Sequence, residues 1–262
     1  MPDAFYEPDG ELLVATELTR GPWDAGAQHA GPPAALLGRA LEQLPGGEGF
    51  QVGRITFEIL RSVPIAPVTV SAEIVRPGRR VQMVAAELSV DGEVLMRARG
   101  WRLATSSLEI PADFVSTPPP PPFPEDEGGF EFFPTGHELG YHSAMELRFE
   151  SGGFMELGPA IAWLRMRDPL VVGEQPSPLQ RTLIAADVGN GISAALDFRR
   201  FVFVNVDLTV HLERMPVGEW VCVDATTLPQ PSGIGTAESV LSDRQGRIGR
   251  ALQTLLISER PS

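Results

Sequence analysis

The chain has 262 residues and a formal net charge of −13, with 21 Lys and Arg against 34 Asp and Glu. That excess of acid excludes a nucleic-acid backbone or an anionic membrane as the main partner, because both are met by a basic footprint. A single cysteine, Cys222, excludes an intramolecular disulfide framework and any multi-cysteine metal site, which fits a reducing cytoplasm.

The amino-terminal MPDAFYEPDGELL has no basic region followed by an apolar run, and no stretch approaches the 18 apolar residues of a membrane span. Export and membrane insertion are therefore not expected. In the first half, Pro33 to Leu44 reads as a helix, opened by Pro32 and Pro33 and closed by Pro45-Gly46-Gly47. Strands follow: Ile55, Phe57 and Ile59 alternate with polar neighbours, as do Val68, Val70, Ala72 and Ile74. Arg80 to Val90 then leads through an Asp91-Gly92 hairpin turn into Val94 to Leu103. Arg76, Arg79 and Arg80 form a compact basic cluster, suited to bidentate contact with phosphate or equally to a solvated turn.

From Thr117 to Pro124 the sequence is TPPPPPFP, followed by acidic and glycine-rich EDEGG. Consecutive prolines favour extended polyproline II, so this segment is expected to be a spacer. It divides the chain into residues 1–105, a linker at 106–140, and residues 141–262.

The second half repeats the order of the first. A strand at Ala160 to Arg167 precedes a helix around Leu179 to Ala186, and strands follow at Phe201 to Leu212, Trp220 to Thr227, Gly235 to Leu241 and Ile248 to Ser258. Laying Pro64 on Pro216 and Arg97-Ala98 on Arg250-Ala251 needs a shift of about 152 or 153 residues in both places. The fold class is α+β: two repeats, each a long central helix wrapped by a curved antiparallel sheet.

Asp187 breaks two local rules at once. Leu179, Leu183 and Asp187 share a helical stripe, which aims the carboxylate at a core. Gly189-Asn190-Gly191 reads as a helix stop, so the charge also opposes the dipole of the last turn. Such lapses gather at functional or strained positions, although a solvated residue opening a turn is the plainer alternative. Asn205 alternates onto the same strand face as Asp207, Thr209 and His211, where it reads as an ordinary polar residue. Gln253 lies between Ala251 and Leu255 on an apolar face and needs a partner.

Three segments, GPWDAGAQHAGPPAALLGRALE at Gly21 to Glu42, RPGRRVQ at Arg76 to Gln82 and GRALQTLL at Gly249 to Leu256, resemble the acyl-CoA thioesterase family with a double hot-dog fold. The resemblance implies two fused hot-dog repeats, an acyl-CoA substrate, thioester hydrolysis, and no metal or organic cofactor. It assigns the catalytic positions to Asp187, Asn205 and Gln253, converging on an attacking water, with Asn205 standing where other members carry a hydroxyl. It leaves open whether Asp187 is a general base or a covalent nucleophile. Self-association through sheet or helix faces is compatible with it.

Arg79 and Arg80 are expected to contact coenzyme A, and His29 to shape the substrate loop over the first helix. Two other functions stay open: a hydratase-like lyase using Asp24 and His29, and an acyl-CoA binding protein without turnover. There is no G-x-S-x-G elbow, Walker loop or paired-histidine helix. His29, His137, His142 and His211 are scattered, and Cys222 reads as a small buried side chain.

Overall fold

Residues 2–111, 113, 118–125, 132 and 136–260 are described by a computed structural model of the chain. Its first half holds β1 (Tyr6–Asp9), β2 (Leu12–Ala15), α1 (Gly31–Glu42), β3 (Phe50–Ile59), β4 (Pro67–Arg76), β5 (Val81–Val90) and β6 (Glu93–Ala104). The second holds α2 (Tyr141–Ala144), β7 (Met145–Ser151), β8 (Ala160–Met166), α3 (Pro178–Ala186) and α4 (Gly189–Ile192). It continues with β9 (Phe201–Asn205), β10 (Asp207–Leu212), β11 (Val221–Pro229), β12 (Ile234–Asp243) and β13 (Gly246–Glu259).

All thirteen strands join one antiparallel sheet in the order β1-β2-β4-β5-β6-β3-β10-β13-β12-β11-β8-β7, with β9 also paired to β13. The halves meet at β3 and β10. Their strands superpose in register at a shift of 153 residues: Thr56 faces Arg99 as Thr209 faces Leu252, and Ala86 faces Ala98 as Ser239 faces Ala251. The repeat seen in the sequence is thus a repeat of strand pairing.

The helices α1 and α3 pack on each other, each against strands of its own half. Two glycines one heptad apart let α1 approach closely. A Cβ on Gly31 would lie 2.7 Å from the Ile184 carbonyl oxygen, and one on Gly38 would lie 2.4 Å from Leu183 Cδ1. Buried side chains of both helices and of most inward strand faces form one large core, and Phe203, Ala237, Leu255 and Ile257 form a second, smaller cluster.

Three expectations need correction. Among the described residues the second half has no single long central helix: α3 spans nine residues and ends at Asp187, and the Gly189-Asn190-Gly191 segment that follows forms the separate short α4. The proline run is no free spacer where it is described. The Phe123 ring packs edge-on against Trp163 and Trp220 at 5.2 and 5.0 Å, and Trp163 Nε1 donates to the Pro122 carbonyl at 3.0 Å. Thr117 and residues 126–129 of the acidic, glycine-rich run lie outside the described residues.

The third correction concerns Phe201 to Leu212, which is two strands and not one alternating run. Asn205 faces Leu255 whereas Thr209 faces Leu252, so the pairing with β13 slips by one residue at Val206. Phe203 is buried and Asn205 half-buried on the inner side, as are Leu208 and Val210 beyond the slip, while Val204 and Val206 are 46% and 44% exposed. An extra residue in one strand flips the side-chain parity. Asn205 therefore does not share the outer polar face with Thr209 and His211.

Candidate active site

Asp187 is the C-cap of α3 and is buried. The Ser177 hydroxyl caps the helix start and Pro178 opens it, so the sequence fixes where α3 begins. The Leu179–Leu183–Asp187 stripe then carries the carboxylate inward. Its Oδ1 accepts from Asn205 Nδ2 at 2.9 Å and from Gln253 Nε2 at 3.1 Å. Gln253 also donates to the Asp187 carbonyl at 3.1 Å and accepts the Asn190 backbone N–H at 3.0 Å, so its amide is fully engaged. The three residues expected to converge are in direct contact.

The fourth member comes from the other half. His29 Nδ1 lies 3.1 Å from Asp187 Oδ2 and 3.1 Å from the Gly31 backbone N–H. Its ring stacks on Tyr141 at 3.9 Å, and the Tyr141 hydroxyl donates to the Ile184 carbonyl at 2.9 Å. His29 was expected to shape a substrate loop; it meets the carboxylate itself, which makes the two halves joint owners of this cluster.

Burial sets the charge state of the pair. Desolvation pushes the Asp187 carboxyl up to about 7, against the lowering effect of the Asn205, Gln253 and Gly31 donors. The same cause pushes His29 down to about 3. Near neutral pH the contact is therefore between a neutral imidazole and a carboxyl poised to exchange a proton, and it is not a fixed ion pair.

The cluster opens into a cavity of about 410 Å³ lined from both halves, with Ile59, Leu60 and Val63 on one side and Val188, Val204 and Val206 on the other. An apolar pocket with a few convergent polar groups is the usual form of a small-molecule site. Asn190 and Tyr141 were not singled out in the sequence. Asn190 was hidden inside a helix-stop motif, and Tyr141 follows the linker in a segment without periodicity.

Of the remaining candidates, Asp24 also lines this cavity. Arg79 and Arg80 stand exposed on the turn between β4 and β5 and do not line this cavity; the guanidinium groups that do are Arg20 and Arg61. Asp24 accepts the Gly26 N–H at 2.8 Å, closing a turn of its own chain. Cys222 is buried and its thiol is pushed above its ordinary range by burial.

Among the described residues the first half has no matching cluster. At the strand shift of 153 residues, Asn205 falls on Val52 and Gln253 on Gly100, and aligning the helix N-caps places Asp187 on Ala40. There the end of α1 is met by the buried Arg102 guanidinium, which donates to the carbonyls of Leu44 and Pro45 at 3.3 Å each. A cation suits the helix C-terminus, and a carboxylate does not.

Comparison with solved structures shows the hot-dog fold. A conserved protein from Alicyclobacillus acidocaldarius is 16% identical with a TM-score of 0.73, over 99% of this chain and 97% of that one. The tesB protein of Mycobacterium avium subs paratuberculosis is 15% identical with a TM-score of 0.64, over 98% and 96%. The acyl-CoA thioesterase II TesB2 of Mycobacterium marinum is also 15% identical with a TM-score of 0.64, over 97% and 96%. No curated protein sequence gives a significant match. Residues 19–103 match the family model of the acyl-CoA thioesterase N-terminal domain and residues 111–257 that of the C-terminal domain, so the chain belongs to the acyl-CoA thioesterase family.

Proposed function

We propose that the protein hydrolyses acyl-CoA thioesters by water attack, with Asp187 as general base. The observation that carries this reading is a buried carboxyl raised to about 7, held by two side-chain amides and open to an apolar cavity. A base of that pKa is half-ionised at neutral pH, where general-base efficiency is greatest. Water held between Asp187 and the carbonyl oxygen of Asn205 gives one proton to the carboxylate as its oxygen attacks the thioester carbon. The carbon–sulfur bond then breaks, and the proton passes from Asp187 to the departing thiolate. Gln253 fixes the carboxylate and the backbone of α4.

His29 tunes the base. Its imidazole Nδ1 accepts the Gly31 N–H and so carries no proton; when Asp187 is protonated, Oδ2–H donates to that bare Nδ1. The apolar walls take the acyl group. In this reading residues 1–105 and 141–262 are the two repeats and 106–140 the connection between them. A lyase built on Asp24 and His29 has less support, because Asp24 is bound in its own turn and His29 faces Asp187.

Thiol release from a panel of short, medium, long and aromatic acyl-CoAs, run with wild type and Asp187→Asn, tests the proposal. Turnover of at least one substrate, falling by roughly a hundredfold or more in the variant, is expected. Saturable binding without turnover would replace it with an acyl-CoA binding protein.

A further inference from the structure

Asn190 sits on α4 beside Gln253 and lines the cavity that holds Asp187. Its residue exposure is 7%, and its side-chain carbonyl oxygen is buried without a hydrogen-bond partner. Its neighbours differ. Both ends of the Gln253 amide are engaged, and Asn205 donates to Asp187. A buried acceptor is ordinarily paired, and one left unpaired on a residue that lines a binding cavity favours a ligand that brings the missing donor.

Two features fix the backbone that carries this acceptor. α4 is pressed against β12 at Gly189, where a Cβ would lie 2.6 Å from Ser239 Oγ. Gly191, on the other side of Asn190, also lines the cavity, and a Cβ there would meet nothing within 4 Å. The backbone N–H of Asn190 is held by Gln253 at 3.0 Å, which ties the main chain at this residue into the cluster.

We infer that Asn190 is a specificity-determining residue whose carboxamide oxygen accepts a hydrogen bond from a donor on the thioester substrate close to the reacting carbonyl. The inference rests on the thioesterase reading of the same cavity. Two parts of such a substrate carry a donor: a hydroxyl on the acyl chain, or an amide N–H of the pantetheine arm. A site built around a buried polar group rejects ligands that leave it unpaired, so the hydroxyl source would make hydroxyacyl thioesters the preferred substrates.

Calorimetric titration with thioether analogues separates the sources, since CH2–S in place of C(=O)–S cannot be hydrolysed. S-octyl-CoA and S-(3-hydroxyoctyl)-CoA are titrated into wild type, Asn190→Leu and Asn190→Ala; the fitted stoichiometry reports the folded fraction in each, so a poorly folded variant does not distort the dissociation constant. Loss of about tenfold in affinity for the hydroxylated ligand alone assigns the donor to the acyl chain. An equal loss for both ligands assigns it to pantetheine. Changes below about twofold for both ligands in both variants overturn the inference. If wild type binds neither analogue, the acyl-CoA reading fails and the inference goes with it; if wild type binds both and the variants match it, only the role of Asn190 is lost.

Discussion

Thr56 and Thr209, 153 residues apart in the chain, face each other across the β3–β10 seam with their hydroxyl oxygens 3.1 Å apart. The strand repeat has the same period, so each threonine is the other's counterpart and the pseudo-two-fold axis passes between them. The seam makes the sheet continuous, and α1 packs on α3 beneath it. Neither half can unfold without exposing the other's core. Urea unfolding followed by far-ultraviolet circular dichroism and by tryptophan fluorescence, which samples Trp23 and Trp101 in one half and Trp163 and Trp220 in the other, is expected to give one coincident transition. Two separated transitions would show that the halves fold independently.

Asp187 and His29 contribute opposite slopes to stability against pH. The folded Asp187 pKa of about 7 lies above its ordinary 3.8, so its stability contribution is full below pH 3.8 and lost as pH rises through 7. The folded His29 pKa of about 3 lies below its ordinary 6.5, so its contribution is full above 6.5 and lost as pH falls through 3. Between pH 4 and 6.5 the two largely cancel in the wild type. Asp187→Asn is expected to leave stability rising with pH over that window, and His29→Gln to leave it falling, each by up to about 3 kcal/mol. Urea midpoints measured at half-unit steps check this. Parallel profiles in the two variants would mean that burial does not hold these groups as described.

The strand repeat was legible in the sequence because paired strands keep their spacing: Arg97 and Arg250 stand at equivalent positions although the residues facing them, Glu87 and Val240, diverge. The inward aim of Asp187 followed from helical periodicity. The pairing of His29 with Asp187 was not legible, since it joins positions 158 residues apart through the packing of two helices. The slip at Val206 was hidden by its own composition: Val202, Val204 and Val206 continue the parity of Leu208 and Val210, so hydrophobicity alone reads one strand. Val204 and Val206 are apolar because they line the cavity, not because they face the core. The edge strand β1 carries too few apolar residues to stand out as YEPD, whereas β7 alternates Met145, Leu147 and Phe149 with polar neighbours.

Phe123 is the wedge by which the proline segment holds the second half. Its ring lies against two tryptophans, and the Arg244 guanidinium covers it at 3.7 Å. Trp163 beneath it is fully buried. Phe123→Ala is expected to cost about 1–3 kcal/mol of stability, less than a core Phe because the ring is only half-buried, and to shift tryptophan emission to the red as Trp163 meets water. An unchanged spectrum would mean that the segment does not cover Trp163 in solution.

Asp207 holds the strand slip that turns Asn205 inward. Its carboxylate accepts the Thr254 backbone N–H at 2.6 Å and the Thr254 hydroxyl at 3.3 Å, immediately after Gln253 on β13. One side chain thus ties the backbone two residues beyond Asn205 to the backbone next to Gln253, and so sets the distance between the two amides that grip Asp187. Removing the acceptor leaves a backbone N–H unpaired and lets β9 and β13 slide, and displacements on the scale of 1 Å at a reacting centre can cost up to about a hundredfold. Asp207→Ala is expected to lower kcat by about tenfold or more with little change in KM, since the apolar walls proposed to take the acyl group are untouched. Asp207→Asn keeps an acceptor oxygen for the Thr254 N–H and is expected to stay within a few-fold of wild type. Steady-state kinetics on the best substrate of the acyl-CoA panel decide the matter. Equal losses in both variants would point to the charge of Asp207 instead of its grip on the backbone, and no loss in either would show that the slip holds itself.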